Sequence, residues 1–268
     1  MKTEIKRLLR EGLIGEKMML KDYTLYTELV ANAYLNAKDY DSSVVKYWNS
    51  LNQSNHSLFK RLLSKVNVVF TTNNVAPKNG IVIDGRTFKV ITIKPEDEYQ
   101  TQSEMKNSFN DTGILKISID HSSHPVFSVI DNIVFRTVHD YIAHILGNHD
   151  FGAKGELACY NLHAKMAPND AIPALFTEVV GQASTTLVTG DFPKQKIVVL
   201  DGFDFINVGV VDDKNYDIVN KLLVKKGEVD NSNLNNRTNR TEPKAIHKDL
   251  INKEKLEQEL VENKVFKK

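Results

Sequence analysis

The chain has 268 residues, 41% of them hydrophobic and 26% charged, a composition that suits a globular protein and excludes collagen, coiled coil and wholesale disorder. With 35 Lys and Arg against 34 Asp and Glu the formal charge is +1, so no overall field draws it to nucleic acid or an anionic membrane. The one cysteine, Cys159, allows no intramolecular disulfide and excludes a cysteine-rich zinc ribbon.

The charged first turn reads as no secretory signal, and no run reaches the roughly 18 apolar residues of a membrane span. Ile5, Leu8, Leu9 and Leu13 recur at helical spacing, and Leu25, Leu29, Ala33, Val44, Val45, Trp48, Leu51, Leu58, Leu62 and Leu63 continue the period. That predicts a helical segment over 1–65. Residues 66–71, 81–83, 88–93 and 114–119 are β-branched runs. The second and third flank Asp84-Gly85, a hairpin signal, so a small antiparallel sheet is expected. The polar stretch 103–111 is compatible with a short helix or a loop.

Helical periodicity returns at Asp131, with Phe135, Val138, Ile142 and Leu146 on one stripe. A second helix is predicted over 155–166, and a third from Asp170, as N-cap, to Ala183. Residues 197–200 and 203–208 suggest a strand pair, and 215–224 a last core helix. The expected class is α+β in three parts: a helical N-terminus (1–65), an α+β core built around three central helices that carry the polar site (66–225), and a flexible linker with a terminal helix (226–268). Residues 230–241 are too poor in apolar side chains to fold. Ile246, Leu250, Ile251, Leu256, Leu260 and Val261 mark a modestly amphipathic helix, either a solvated appendage or a docking element.

Chemistry concentrates in the centre. Six of the eight histidines (His121, His124, His139, His144, His149 and His163) fall within 43 residues. Dense histidine suggests a metal or acid/base site. On an α-helical projection His139 lies about 40° from Phe135, at the margin of the buried stripe, while Asp140 and His144 occupy an adjoining face. Glu156, Cys159, Tyr160 and His163 stand at offsets 0, 3, 4 and 7, one stripe of a helix. Cys159 by itself reads as a small buried hydrophobe. Between residues 171 and 190 the only ionisable side chain is Glu178. A buried carboxylate needs a partner, and His139, His144 or His163 would serve, with Gln182 one turn on to orient it.

The ordered set of residues 138–144 (Val-His-Asp-Tyr-Ile-Ala-His), Phe151-Gly152, Gly155-Glu156, His163, Thr177-Glu178 and Gly181-Gln182 resembles a family of uncharacterised proteins of tailed bacteriophages, also found as modules of large phage and plasmid multidomain proteins. The resemblance covers roughly residues 131–210. Its members usually have Gly at the position of Ala143, so small size is kept. It implies a phage origin, in host cytoplasm or virion, and a shared polar site, without an established activity. His139-Asp140 with His144 also resembles the His-Asp pair of the HD-type metal-dependent phosphohydrolases. That superfamily requires an earlier His, for which His121 or His124 is available, and a later acid, for which Glu178 would have to stand in.

The resulting expectation is a divalent metal (Zn, Mn or Mg) held by His139, Asp140, His144 and His163, with Glu156 or Glu178 as general base of a hydrolase. The alternative is a virion or assembly protein in which the same cluster is a structural staple. Partners would be other phage proteins, met through the terminal helix.

Overall fold

The structure, a computed structural model, describes residues 17–18, 23–200, 202–205 and 209–211. The helix expected at 215–224, the linker at 230–241 and the terminal helix lie outside the described residues, as do residues 1–16.

Strand β1 (Lys17–Met18) precedes two long helices, α1 (Tyr23–Asn36) and α2 (Val45–Leu62). Helix α2 buries Trp48, Leu51, Leu58, Phe59 and Leu62 along one face, the stripe its spacing predicts. Next come β2 (Asn67–Thr72), a hairpin of β3 (Ile81–Ile83) and β4 (Arg86–Phe88), then β5 (Val90–Thr92) and β6 (Ile114–Ser118). The hairpin turns at Asp84-Gly85, both in the left-handed region (φ 50° and 77°), as a two-residue turn of this type requires.

The other three strands depart from the antiparallel expectation. They form a parallel sheet of order β5-β2-β6 with β2 in the centre. Each connection is long enough to cross over: the hairpin lies between β2 and β5, and helix α3 (Gln102–Thr112) between β5 and β6. The apolar run at 88–93 divides at Lys89, so that Phe88 ends the hairpin and Val90 begins the parallel strand. Helix α3 settles the polar stretch at 103–111, with a capping box of Thr101 and Glu104 before it and Gly113 (φ 66°) after it. Together with a third, antiparallel sheet of order β1-β8-β7, where β7 is Phe203–Asp204 and β8 is Gly209–Val211, the class is α+β.

Three further helical rods follow. Helix α4 (Val129–His139), capped by Ser128 and Asp131, runs on into a π-helical segment, Asp140–Leu146. Helix α5 spans Ala153–Met166. The third rod is α6 (Ile172–Phe176), a second π segment (Thr177–Gly181) and α7 (Gln182–Thr189), closed by Gly190 at φ 84°. Asp170 is not its N-cap. It sits inside the 3-10 turn Asn169–Ala171 and accepts a hydrogen bond from Ser50 Oγ (2.7 Å), tying that turn to α2.

Two apolar clusters fill the molecule, one among α1, the first half of α2, α5 and the α6–α7 rod, the other around the parallel sheet. Helix α4 belongs to both: Phe135 faces the first, and Ile133, Val134 and Val138 the second. Its C-terminal end therefore emerges between the two cores, and the polar site is there. Among the described residues, no helix is long and apolar enough to cross a membrane.

Candidate metal centre

His139 ends α4, and His144 lies in the π segment that follows. In an α-helix two residues five apart point about 140° away from each other. Here the turn is widened, with Gly147 N–H bonding Ile142 O (2.9 Å), and such i to i+5 closure stacks residues five apart. The two imidazoles come together, ring centroids 5.3 Å apart. From α5, Glu156 rises between them: Oε2 is 3.7 Å from His139 Nε2 and Oε1 is 3.8 Å from His144 Nε2. Cys159, one turn further on, places Sγ 3.6 Å from His144 Nδ1.

One donor atom from each of His139, His144, Glu156 and Cys159 lies within 4.8 Å of all the others. These gaps are too long for hydrogen bonds between the two imidazoles and the carboxylate. They suit donors around a common ion, because tetrahedral zinc with bonds of about 2.0–2.3 Å sets its ligand atoms roughly 3.3–3.8 Å apart.

The site is nearly sealed, with side-chain exposures of 11% for His139, 3% for His144 and 13% for Glu156, and Cys159 fully buried. Burial alone would lower the His139 pKa. The facing Glu156 carboxylate outweighs it, with Asp140 adding, and holds His139 above the usual histidine value. Burial first, and then the charges of Glu156, Asp140 and Asp150, push the Cys159 thiol up. Without a cation it therefore stays protonated, whereas coordination would deprotonate it.

The loop after the π segment orients His144. Its Nδ1 lies 2.9 Å from His149 O, so Nδ1 carries the proton it donates there and Nε2 keeps its lone pair toward Glu156. Gln102 on α3 donates to His144 O (2.8 Å), and the Phe151 ring packs edge-on at 4.6 Å. The loop glycines serve close packing. A Cβ at Gly155 would lie 2.1 Å from Asp150 O, and one at Gly147 would lie 2.6 Å from Ala143 O. The loop from Gly147 to Gly155 is therefore a fitted clamp.

Glu178 is buried as expected, but its partners correct the expectation that it meets His139, His144 or His163. It accepts from Trp48 Nε1 (2.7 Å) and His124 Nε2 (3.0 Å) on Oε1, and from Gln182 Nε2 on Oε2. His124 Nδ1 accepts the backbone N–H groups of Val126 and Phe127, so its proton is on Nε2, aimed at Glu178. Three donors from three parts of the chain satisfy the carboxylate, and burial with the charge of Glu178 raises the nearby Tyr34 phenol above its ordinary pKa. Gln182 does the orienting its spacing suggested.

Two other expected ligands stand apart from the four-residue group. Asp140 is half-buried beside it. His163 is fully buried, its ring centroid 5.8 Å from that of His139, and its Nε2 meets Asn55 Oδ1 at 3.1 Å. The acid among the donors is Glu156, so the contiguous His139-Asp140 pair of the HD-type phosphohydrolases is not reproduced. His121 is exposed. Cys159 was read as packing, yet its place three residues after Glu156 was the available signal that it faces the same centre. No family model matches this chain, and neither does any curated protein or solved structure.

Proposed function

We propose that this chain binds one divalent ion of the zinc class through His139, His144 and Glu156, with Cys159 beside them, and uses it to hydrolyse a phosphoester or amide. The observation that carries this reading is the spacing of the Glu156 oxygens from the two Nε2 atoms, 3.7 and 3.8 Å across three different segments, beyond hydrogen-bond length to either imidazole. Two imidazoles and a carboxylate are a donor set that leaves a coordination position open for water. Such an ion, held by His139, His144 and Glu156, would polarise a substrate oxygen and bring the pKa of bound water near neutrality. The residual exposure belongs to His139 and Glu156, so substrate approaches from their side. Asp140, next to His139 in the chain and outside the four-residue group, is the carboxylate we assign to take the proton of that water.

The ordered signature across residues 138–182 supports a phage-encoded protein, acting in the host cytoplasm or carried in the virion, with other phage proteins as partners.

A second reading, a structural metal staple, is favoured by Cys159. Four protein donors would close the coordination sphere, and the site is nearly sealed. The test is hydrolysis of a generic phosphodiester and a generic peptide by protein loaded with Zn²⁺, Mn²⁺ or Mg²⁺. Turnover by the wild type that is lost in Asp140→Asn supports the hydrolase. A loaded protein that gains thermal stability but turns over neither substrate is a staple.

A further inference from the structure

The His139 and His163 rings pack together, centroids 5.8 Å apart, and their buried nitrogens have complementary needs. His163 Nε2 lies against Asn55 Oδ1, an acceptor, so its proton is on Nε2 and its Nδ1 is a bare acceptor. That Nδ1 is fully buried and has no partner among the described residues. His139, with Nε2 turned to the metal position, carries its proton on Nδ1, and that atom too is buried without a partner. The two rings lie 5.8 Å apart at 38°, and a hydrogen bond between this buried donor and this buried acceptor, direct or through one water, would satisfy both. The Phe135 ring packs against both, at 6.1 Å from each, and restricts how either can turn.

On the reading that the four-residue group holds an ion, we infer that His163 and Asn55 are positioning residues for the centre. Asn55 on α2 orients His163 on α5, and His163 Nδ1 accepts a hydrogen bond from His139 Nδ1–H at the end of α4, presenting the Nε2 lone pair of His139 to the metal. Ligand histidines commonly donate their second N–H to such a partner, and losing it weakens metal binding about 10–100-fold. The relay adds a link from α2, which supplies no ligand.

The experiment is a Co²⁺ titration followed by Zn²⁺ competition on the full chain, comparing wild type with His163→Phe, His163→Gln and Asn55→Leu, each checked for fold by its metal-free melting curve. The inference expects His163→Phe to lose 10–100-fold in affinity with an altered cobalt spectrum. It expects His163→Gln, whose amide oxygen can accept the same proton, to recover most of that loss, and Asn55→Leu to fall in between. If His163→Phe does not fold, Asn55→Leu against the wild type decides. A wild type that binds while His163→Phe and Asn55→Leu match it within twofold overturns the inference alone. A wild type that binds neither ion overturns the metal reading, and the inference with it. In ¹⁵N spectra of the zinc-loaded protein, a proton on His163 Nδ1 would also contradict it.

Discussion

At the residue scale the molecule separates two buried carboxylates that the sequence could not tell apart. Glu156 faces two imidazoles across gaps of 3.7 and 3.8 Å, whereas Glu178 is satisfied by three donors. Replacing Glu178 by Gln sets an amide N–H₂ against those donors. It should cost about 1–3 kcal/mol in urea unfolding while zinc affinity stays within twofold. An affinity loss as large as that of Glu156→Gln would merge the two networks into one. The need for a partner at Glu178 was legible, because no other ionisable side chain lies within 171–190. The partner was not: Trp48 lies 130 residues away and His124 is 54 away in a loop, separations that periodicity does not register.

At the scale of elements, local rules read well and wider turns did not. The Asp84-Gly85 hairpin and the apolar stripe of α4 were legible, and the box of Thr101 and Glu104 carried a helix signal for α3. The π segments were not, because a projection at the α-helical period puts His139 and His144 on different faces, and only i to i+5 closure unites them. Parallel pairing was hidden too, since a short apolar run does not specify the direction of its neighbour.

Two predictions belong at this scale. Asp131 caps α4; burial works to raise its carboxyl, but hydrogen bonds from Ser128, His56 and Asn52 outweigh burial and hold it below the ordinary value. Its contribution is therefore complete above the unfolded value of about 3.9 and is lost as pH falls through the lower folded value. Asp131→Asn should cost about 0.5–1 kcal/mol at pH 7, a gap that closes in acid. A gap independent of pH would assign the effect to packing. Gly155→Ala pushes a Cβ against Asp150 O, and relief requires the clamp to shift the His149 carbonyl that orients His144. The expected loss is about 1–3 kcal/mol of stability, together with weaker zinc binding. Unchanged zinc affinity in a destabilised protein would show that the clamp does not hold His144.

At the scale of the whole molecule, the site sits where two apolar cores meet on α4, with donors from α4, its π extension and α5. An ion there would fasten segments that the cores alone leave side by side, and a ligand at 100 times its Kd would add about 2.7 kcal/mol to the folded state. The α+β class was legible from the alternation of periods, and the histidine cluster from composition. The choice of Cys159 in place of His163 came from packing, which turns His163 toward Asn55.

The most direct test of the metal claim is the metal content of the untagged chain after purification and Zn²⁺ reconstitution, measured by elemental analysis beside a His139→Ala, His144→Ala, Glu156→Gln triple variant. One ion per wild-type chain, and none in a variant that still melts cooperatively, is the expected result. A wild type that retains no ion, or a triple variant that retains as much as the wild type, would contradict the account.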